Sequence, residues 1–452
     1  MGLLFGTDGV RGVANSELTP LLAFKIGRAG ASVLSKESKR PIFVIGMDTR
    51  LSGDMLASAL TAGILAVGGN VINVGVIPTP AIAYLTKYFE ADAGVVISAS
   101  HNPFEYNGIK FFNRNGFKLD DFIEEEIESL IIREIDTNKH KTGTGVGKCL
   151  HGDESADKLY EDFLLSTTDL NLDGIKVVLD CANGAAYKTA PDVYRALGAN
   201  VVTIGCNPDG KNINDNIGST HPELLQEKVV ETGADIGLAF DGDADRLIVV
   251  DEKGRIIDGD KTMCICAKKM KDEGKLKGNL VTATVMSNLG FHKYINEELE
   301  AEVVTTKVGD RYVLESMLET GCMIGGEQSG HMIFLEHTTT GDGTLSSLQF
   351  MEALLASGKK ASELSDEITI YPQVLVNAVV ANENKKFFMM DPEVKDKIHA
   401  AEEELKGTGR VLIRPSGTEP VARVMLEGED TERLKVLAED IAAVISRKFS
   451  QA

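Results

Sequence analysis

The segment Asp241-Gly242-Asp243-Ala244-Asp245-Arg246 places three carboxylates at alternate positions, with small residues between them. Carboxylates this close repel one another unless a cation joins them. Oxygens so spaced can converge on one hard divalent ion. Two other chemistries use a related pattern. An EF-hand also sets Asp at positions one, three and five, and Glu252 falls at position twelve; but Arg246 stands where the sharp-turn Gly belongs, which excludes that loop. A phosphatase with an Asp nucleophile at a strand end uses a similar spacing and needs no serine.

A second segment, Ser98-Ala99-Ser100-His101-Asn102-Pro103, offers a serine on a strand-to-loop turn followed by a histidine. Ser100 could be a nucleophile or a phosphoryl carrier, although such a segment alone is also an ordinary turn. Asn107, Gly108 and Lys110 follow. A lysine near a reacting oxygen can move a proton or hold phosphate. A third segment reads Gly325-Gly326-Glu327-Gln328-Ser329-Gly330-His331. Glu327 accepts hydrogen bonds and Ser329 both donates and accepts, which suits sugar hydroxyls. The glycines admit a ligand to the backbone, and the spacing is not that of a GxSxG nucleophile elbow.

Near the C-terminus, Arg414-Pro415-Ser416-Gly417-Thr418-Glu419-Pro420 with Arg423 combines two cations, two hydroxyls and a glycine that frees backbone N–H groups. That is an anion cradle. Near the N-terminus, Phe5 to Gly12 surrounds Arg11 with glycines and aims a cation at a phosphate.

These segments need elements to position them, and one pattern supplies them three times. Strand, helix, strand, helix and strand run into a polar loop and a return strand. The strands fall near Ile42–Gly46, Val71–Val76 and Gly94–Ser98, with a return at Ile109–Asn113. They recur near Lys176–Cys181, Asn200–Ile204 and Asp235–Phe240, with a return at Leu247–Asp251. The third set is Asn279–Thr284, Glu302–Lys307 and Cys322–Ile324, returning at His331–Leu335. Strands alternating with helices predict mostly parallel sheets, and each return strand makes its sheet mixed. Ligands gather at the carboxyl ends of such strands, where all three polar loops sit. The expected division is 1–152 with the serine loop, 153–254 with the metal loop, 255–370 with the sugar loop, and a smaller α+β domain at 371–452. In the last, Asp430 caps a helix with an apolar stripe through Leu434, Leu437, Ile441, Val444 and Ile445. The acidic run Asp120–Glu128 predicts an amphipathic helix with a solvated acidic face. The Gly-rich stretch His140–Gly147 reads as a linker.

The chain has 452 residues, which exceeds one hydrophobic core. Its net charge of −21 repels nucleic acid and anionic membrane. It also repels a sugar phosphate, so a site for one must gather cations locally. The six cysteines form no CxxC pair, which points to a reducing, cytoplasmic setting rather than a disulfide framework or zinc site. No signal peptide, myristoylation pattern or membrane-spanning run is expected.

Together the SASHNP, DGDADR, GEQSG and RPSGTEP segments resemble the α-D-phosphohexomutases, in that family's order from Arg11 to Arg423. The FGTDGVRG start and GGEQSGH are similar to its bacterial glucosamine-phosphate branch, although Tyr106 stands where that branch carries an acidic residue. The resemblance implies three α/β domains and a C-terminal phosphate-binding lid around a cleft. It implies interconversion of glucosamine 6-phosphate and glucosamine 1-phosphate; the nearest rival reading is the same chemistry on mannose or glucose phosphates, a phosphomannomutase or phosphoglucomutase. It implies Mg²⁺ held by Asp241, Asp243, Asp245 and a phosphorylated Ser100, and glucose or glucosamine 1,6-bisphosphate as activator. Lys110 or His101 would move the proton, with Arg11 and Arg246 beside the phosphoryl group. Glu327, Ser329 and His331 would hold the sugar, and Arg414, Ser416, Gly417, Thr418 and Arg423 the distal phosphate. A homodimer is implied as well. A sugar phosphatase and a phosphosugar sensor are the competing expectations, and a pure sensor would need neither Ser100 nor the three-Asp loop.

Overall fold

Buried β-branched runs, each ended by a polar or glycine turn, form the centres of three mixed sheets. In the computed structural model, which describes residues 4–6, 9–35, 40–133, 140–151, 155–416 and 419–451, Ile42–Met47, Asn70–Val76 and Ala93–Ile97 run parallel and Tyr106–Asn113 returns antiparallel. The second sheet repeats this with Lys176–Asp180, Asn200–Ile204, Ile236–Phe240 and the return Leu247–Asp251. The third uses Leu280–Thr284, Glu302–Thr306, Ile324–Gly326 and Met332–Phe334. In all three the spatial order is return, third, first, second. The repeat expected from sequence is therefore also a repeat of topology. The third strands Ala93–Ile97 and Ile236–Phe240 are buried throughout, as central parallel strands should be.

The first return strand starts earlier than the sequence suggests. Val10–Val13 adds an antiparallel edge to it, pairing Arg11 with Gly108 and Val13 with Tyr106. Four residues, preceded by Gly9 and including Gly12, carry too little alternation to announce a strand. The acidic helix Asp121–Ile132 forms as expected, but its acidic face is not wholly solvated. Glu128 is buried, and its Oε2 accepts from the backbone N–H groups of Leu4 and Phe5 at 2.8 and 3.0 Å. The linker His140–Gly147 contains a single 3₁₀ turn at Gly143–Gly145.

The chain forms two compact units, Met1–Met286 with Leu299–Glu367, and Ser287–Glu298 with Ile368–Ala452. The first contains the three mixed sheets. In the second, Val421–Gly428 lies between Gln373–Val379 and Gly409–Pro415 in an antiparallel sheet. The helix Thr431–Phe449 packs on it, capped by Asp430, which accepts from Arg433 N at 3.0 Å. Leu434, Ile441, Val444 and Ile445 enter that core, with Leu437 against its edge. The short segment Ser287–Glu298 joins this unit through Asn288 Nδ2, which donates to Tyr371 O, and Leu289 N, which donates to Glu427 Oε2, both at 2.9 Å.

Candidate active site

Ser100 sits just beyond the buried strand Ala93–Ile97, at the carboxyl end of its sheet. Its backbone is left-handed, with φ +52°, a conformation disfavoured for a residue with a Cβ. The side chain is buried, and Oγ donates to Asp241 Oδ2 at 2.7 Å. His101 Nδ1 lies 3.3 Å from the same oxygen. The serine and metal loops, expected on separate domains, therefore meet at one hydrogen bond.

Gly242 makes that approach possible. A Cβ there would lie 2.6 Å from Ser100 O and 2.7 Å from Asn214 Nδ2. Asp241, Asp243 and Asp245 are all buried, each with an oxygen within 4.8 Å of the others. Burial first, and then the charges of Asp245 and Asp243, push the Asp241 carboxyl well above its ordinary range. Asp245 is raised by burial and by Asp243. Asp245 Oδ1 is buried and accepts no hydrogen bond. Such carboxylates cost too much to keep ionised and dry without a cation. The donor set, all hard oxygens, fits Mg²⁺. Cations and donors already steady the loop. Lys110 Nζ lies 3.2 Å from Asp243 Oδ2, and Thr79 Oγ1 donates to that oxygen at 2.8 Å. Arg246 N donates to Asp241 Oδ1 at 3.2 Å.

A cavity of about 430 Å³ opens above these groups. Arg11, Ser100, His101, Asp245, Arg246, Glu327 and His331 all reach its wall, so the N-terminal strand and all three polar loops contribute. Glu327 Oε1 accepts from Gly309 N at 3.1 Å. His331 is 3% exposed, with Nε2 3.5 Å from Asp310 Oδ2 and 4.0 Å from Asp245 Oδ2. Ser329 is exposed and does not line the cavity. Burial, then the charges of Arg246 and Arg11, lower the His101 pKa to about 4, so its imidazole is neutral at pH 7.

Sequence reasoning missed Asp48, Arg50, Asn214 and Asp310. Asp48 and Arg50 follow the strand Ile42–Met47 at its carboxyl end, where the rule that found the other loops also applies. Asp310 begins the helix Asp310–Thr320, and nothing local marks it.

The second unit carries the C-terminal loop. Arg414 and Arg423 are directly opposed across the strand pair. Burial and then the Arg423 charge lower the Arg414 pKa, the mark of two cations facing each other. Arg423 Nη2 lies 3.2 Å from Glu419 Oε2, and Ser416 is buried, its Oγ accepting from Glu419 N at 3.2 Å. Gly417 and Thr418 lie outside the described residues.

Four domain families of the phosphoglucomutase/phosphomannomutase type match in order. Alpha/beta/alpha domains I, II and III cover residues 2–138, 153–254 and 258–371, and the C-terminal domain covers 375–444. The chain belongs to this family. It is 57% identical over 448 residues to a phosphoglucosamine mutase of Clostridium novyi (strain NT), covering 99% of both chains. It is 55% identical over 450 residues to the phosphoglucosamine mutase of Thermoanaerobacter sp. (strain X514), covering 100% of each. Among solved structures, a phosphoglucomutase/phosphomannomutase family protein from Burkholderia thailandensis superposes with a TM-score of 0.80 at 27% identity, over 98% of this chain and 97% of that one. The isomerase class and the α/β architecture expected from the motifs follow from this membership.

Proposed function

We propose that this protein is a phosphosugar mutase that interconverts glucosamine 6-phosphate and glucosamine 1-phosphate through a phosphorylated Ser100. One observation carries the reading: Ser100 Oγ hydrogen-bonds to a carboxylate of a buried three-Asp cluster, and Ser100 and Asp245 both line a cavity. A phosphatase would use Asp241 as nucleophile and gain nothing from a serine seated on it. The relatives named phosphoglucosamine mutase supply the choice of sugar.

Asp241, Asp243 and Asp245 would hold Mg²⁺, which when bound offsets negative charge on the phosphoryl oxygens. The rest is the work of the chain's own groups. The sugar hydroxyl attacks the phosphorus of phosphoserine in line and the P–Oγ bond breaks, leaving a 1,6-bisphosphate. The proton lost by that hydroxyl passes to His101 or Lys110, and one returns to Ser100 Oγ. His101, neutral and 3.3 Å from Oγ, is placed to serve that oxygen. Arg11 and Arg246 face the transferring group from the cavity wall. The bisphosphate then turns over and returns its other phosphate to Ser100.

Glu327 and His331, both on the cavity wall, hold ring hydroxyls in both orientations. Arg414, Ser416, Gly417, Thr418 and Arg423 grip the phosphate that is not reacting, and the opposed Arg414 and Arg423 guanidinium groups support that assignment. Excluding water protects the phosphoserine from hydrolysis. A hexose 1,6-bisphosphate restores the phosphoserine whenever it is lost. The enzyme acts in the cytoplasm as a homodimer. Six free cysteines support that compartment, and no described helix is long and apolar enough to cross a membrane.

The test compares wild type and Ser100→Ala, by intact mass and turnover, with glucosamine 1-phosphate, Mg²⁺ and a trace of bisphosphate. Wild type should carry an added phosphate and make the 6-phosphate, and the variant should do neither. Normal turnover by the variant, or free phosphate as the product, would return the Asp241 loop to the phosphatase reading.

A further inference from the structure

The left-handed turn at Ser100 needs something to hold it. The two backbone polar groups of that residue lead to the same buried pair. Ser100 N donates to Ser98 Oγ at 2.9 Å, and Ser98 Oγ donates to Asp48 Oδ2 at 2.5 Å. Ser100 O accepts from Arg50 Nη2 at 2.8 Å and from Asn214 Nδ2 at 2.9 Å. Asp48 and Arg50 are joined by Arg50 Nε to Asp48 Oδ2 at 2.8 Å and by Arg50 N to Asp48 Oδ1 at 3.0 Å. Both side chains are fully buried.

The guanidinium has five N–H donors, and its five bonds are accounted for. One goes to Asp48. The other four go to main-chain carbonyls of the serine loop: Nη2 to Ser100 O and to Asn102 O, each at 2.8 Å, and Nη1 to Tyr106 O at 3.1 Å and to Pro103 O. One side chain thus fixes the carbonyls on both sides of the turn. The Asp48 carboxylate and the four carbonyl oxygens together compensate the buried guanidinium. Residues in sparsely populated backbone regions persist where their surroundings over-determine them, and this loop is over-determined from one point.

We infer that Asp48 and Arg50 are positioning residues for the phosphoryl carrier, holding the loop so that Ser100 Oγ reaches the Asp241 site. Neither lines the cavity, so neither contacts the sugar. Their removal should therefore lower the rate of phosphoryl transfer and leave sugar binding alone. This inference rests on the phosphoserine mutase reading.

The experiment uses Arg50→Lys in the full chain. Lysine keeps the charge but has three donors for five acceptors. Dephosphorylated wild type and variant are mixed with Mg²⁺ and glucose 1,6-bisphosphate, and phosphorylation of Ser100 is followed by intact mass. Steady-state kcat and KM for glucosamine 1-phosphate are measured alongside. The variant should phosphorylate about 100-fold more slowly and lose kcat in proportion, the scale of effect of displacing a reacting atom by about 1 Å. Its KM should stay within about threefold, and Mg²⁺ should still raise its melting temperature. If wild type itself takes no phosphate, the mutase reading fails. If wild type does and the variant matches it within threefold, the inference fails. Should Arg50→Lys not fold, Ser98→Ala removes only the hydroxyl between Asp48 and Ser100 N. A fall in its kcat of about tenfold at unchanged KM supports the clamp, and an unchanged kcat overturns it.

Discussion

At the scale of single residues, the site gathers like charges that burial makes costly and a cation would offset. Asp241 and Asp245 have carboxyl pKa values raised mainly by burial and then by their neighbours. A carboxyl whose folded pKa is raised stabilises the fold fully below its unfolded value, here 3.8, and loses that contribution as pH rises through the folded value. The metal-free protein should therefore lose stability as the solution moves from acid toward neutral. Mg²⁺ should restore it at neutral pH, because it binds only the ionised cluster. At a hundredfold excess over its dissociation constant the gain is about 2.7 kcal/mol. Melting curves with EDTA and with Mg²⁺ at pH 7.5 and 5 should show a Mg²⁺ shift that shrinks at the lower pH and is largely lost in Asp245→Asn. An equal shift in that variant would mean that the ion binds elsewhere.

At the scale of elements, the short helix Leu289–Lys293 carries a histidine into a largely enclosed position. Its His292 is pushed to about pKa 4 by burial and then by the Arg410 charge, and its Nε2 is buried without a hydrogen bond. A histidine with a depressed folded pKa contributes stability that is present above its unfolded value of 6.5 and lost as pH falls through 4. The shift corresponds to about 3 kcal/mol. Between pH 6.5 and 4, His292→Gln should lose less stability than wild type by up to that amount. Parallel pH profiles of the two would mean that the fold does not depress the His292 pKa.

At the scale of the whole molecule, the chain order of the modules differs from the order of the compact units. Ser287–Glu298 lies within the third module's sequence but packs with Ile368–Ala452. Its Phe291 and Ile295 are buried there, and a Cβ on Gly290 would lie 1.7 Å from Thr369 O. Ending the chain at Glu367 should strip that segment of its partner. The product should elute with aggregates, melt over a broader range and have no mutase activity. A truncated chain that is monodisperse and melts as sharply as the full protein would show that Ser287–Glu298 does not need the C-terminal residues.

Which chemistry is available could be read from the sequence alone. Alternating aspartates, SASHNP, the glycine-rich sugar loop and the C-terminal arginines are contiguous, and spacing along a strand-end loop limits where their atoms can go. The repeat was legible for the same reason, since strand and helix periodicities are local. The tertiary structure decided what is non-local. Ser100 and Asp241 are 141 positions apart and meet at 2.7 Å. The strand-end position of Arg50 could be read but its role could not, because four of its partners are main-chain carbonyls about fifty residues away and any sequence provides carbonyls. Glu128 looked like a solvated acid because charge on an amphipathic helix normally faces water. Only folding brought the N–H groups of Leu4 and Phe5 within its reach.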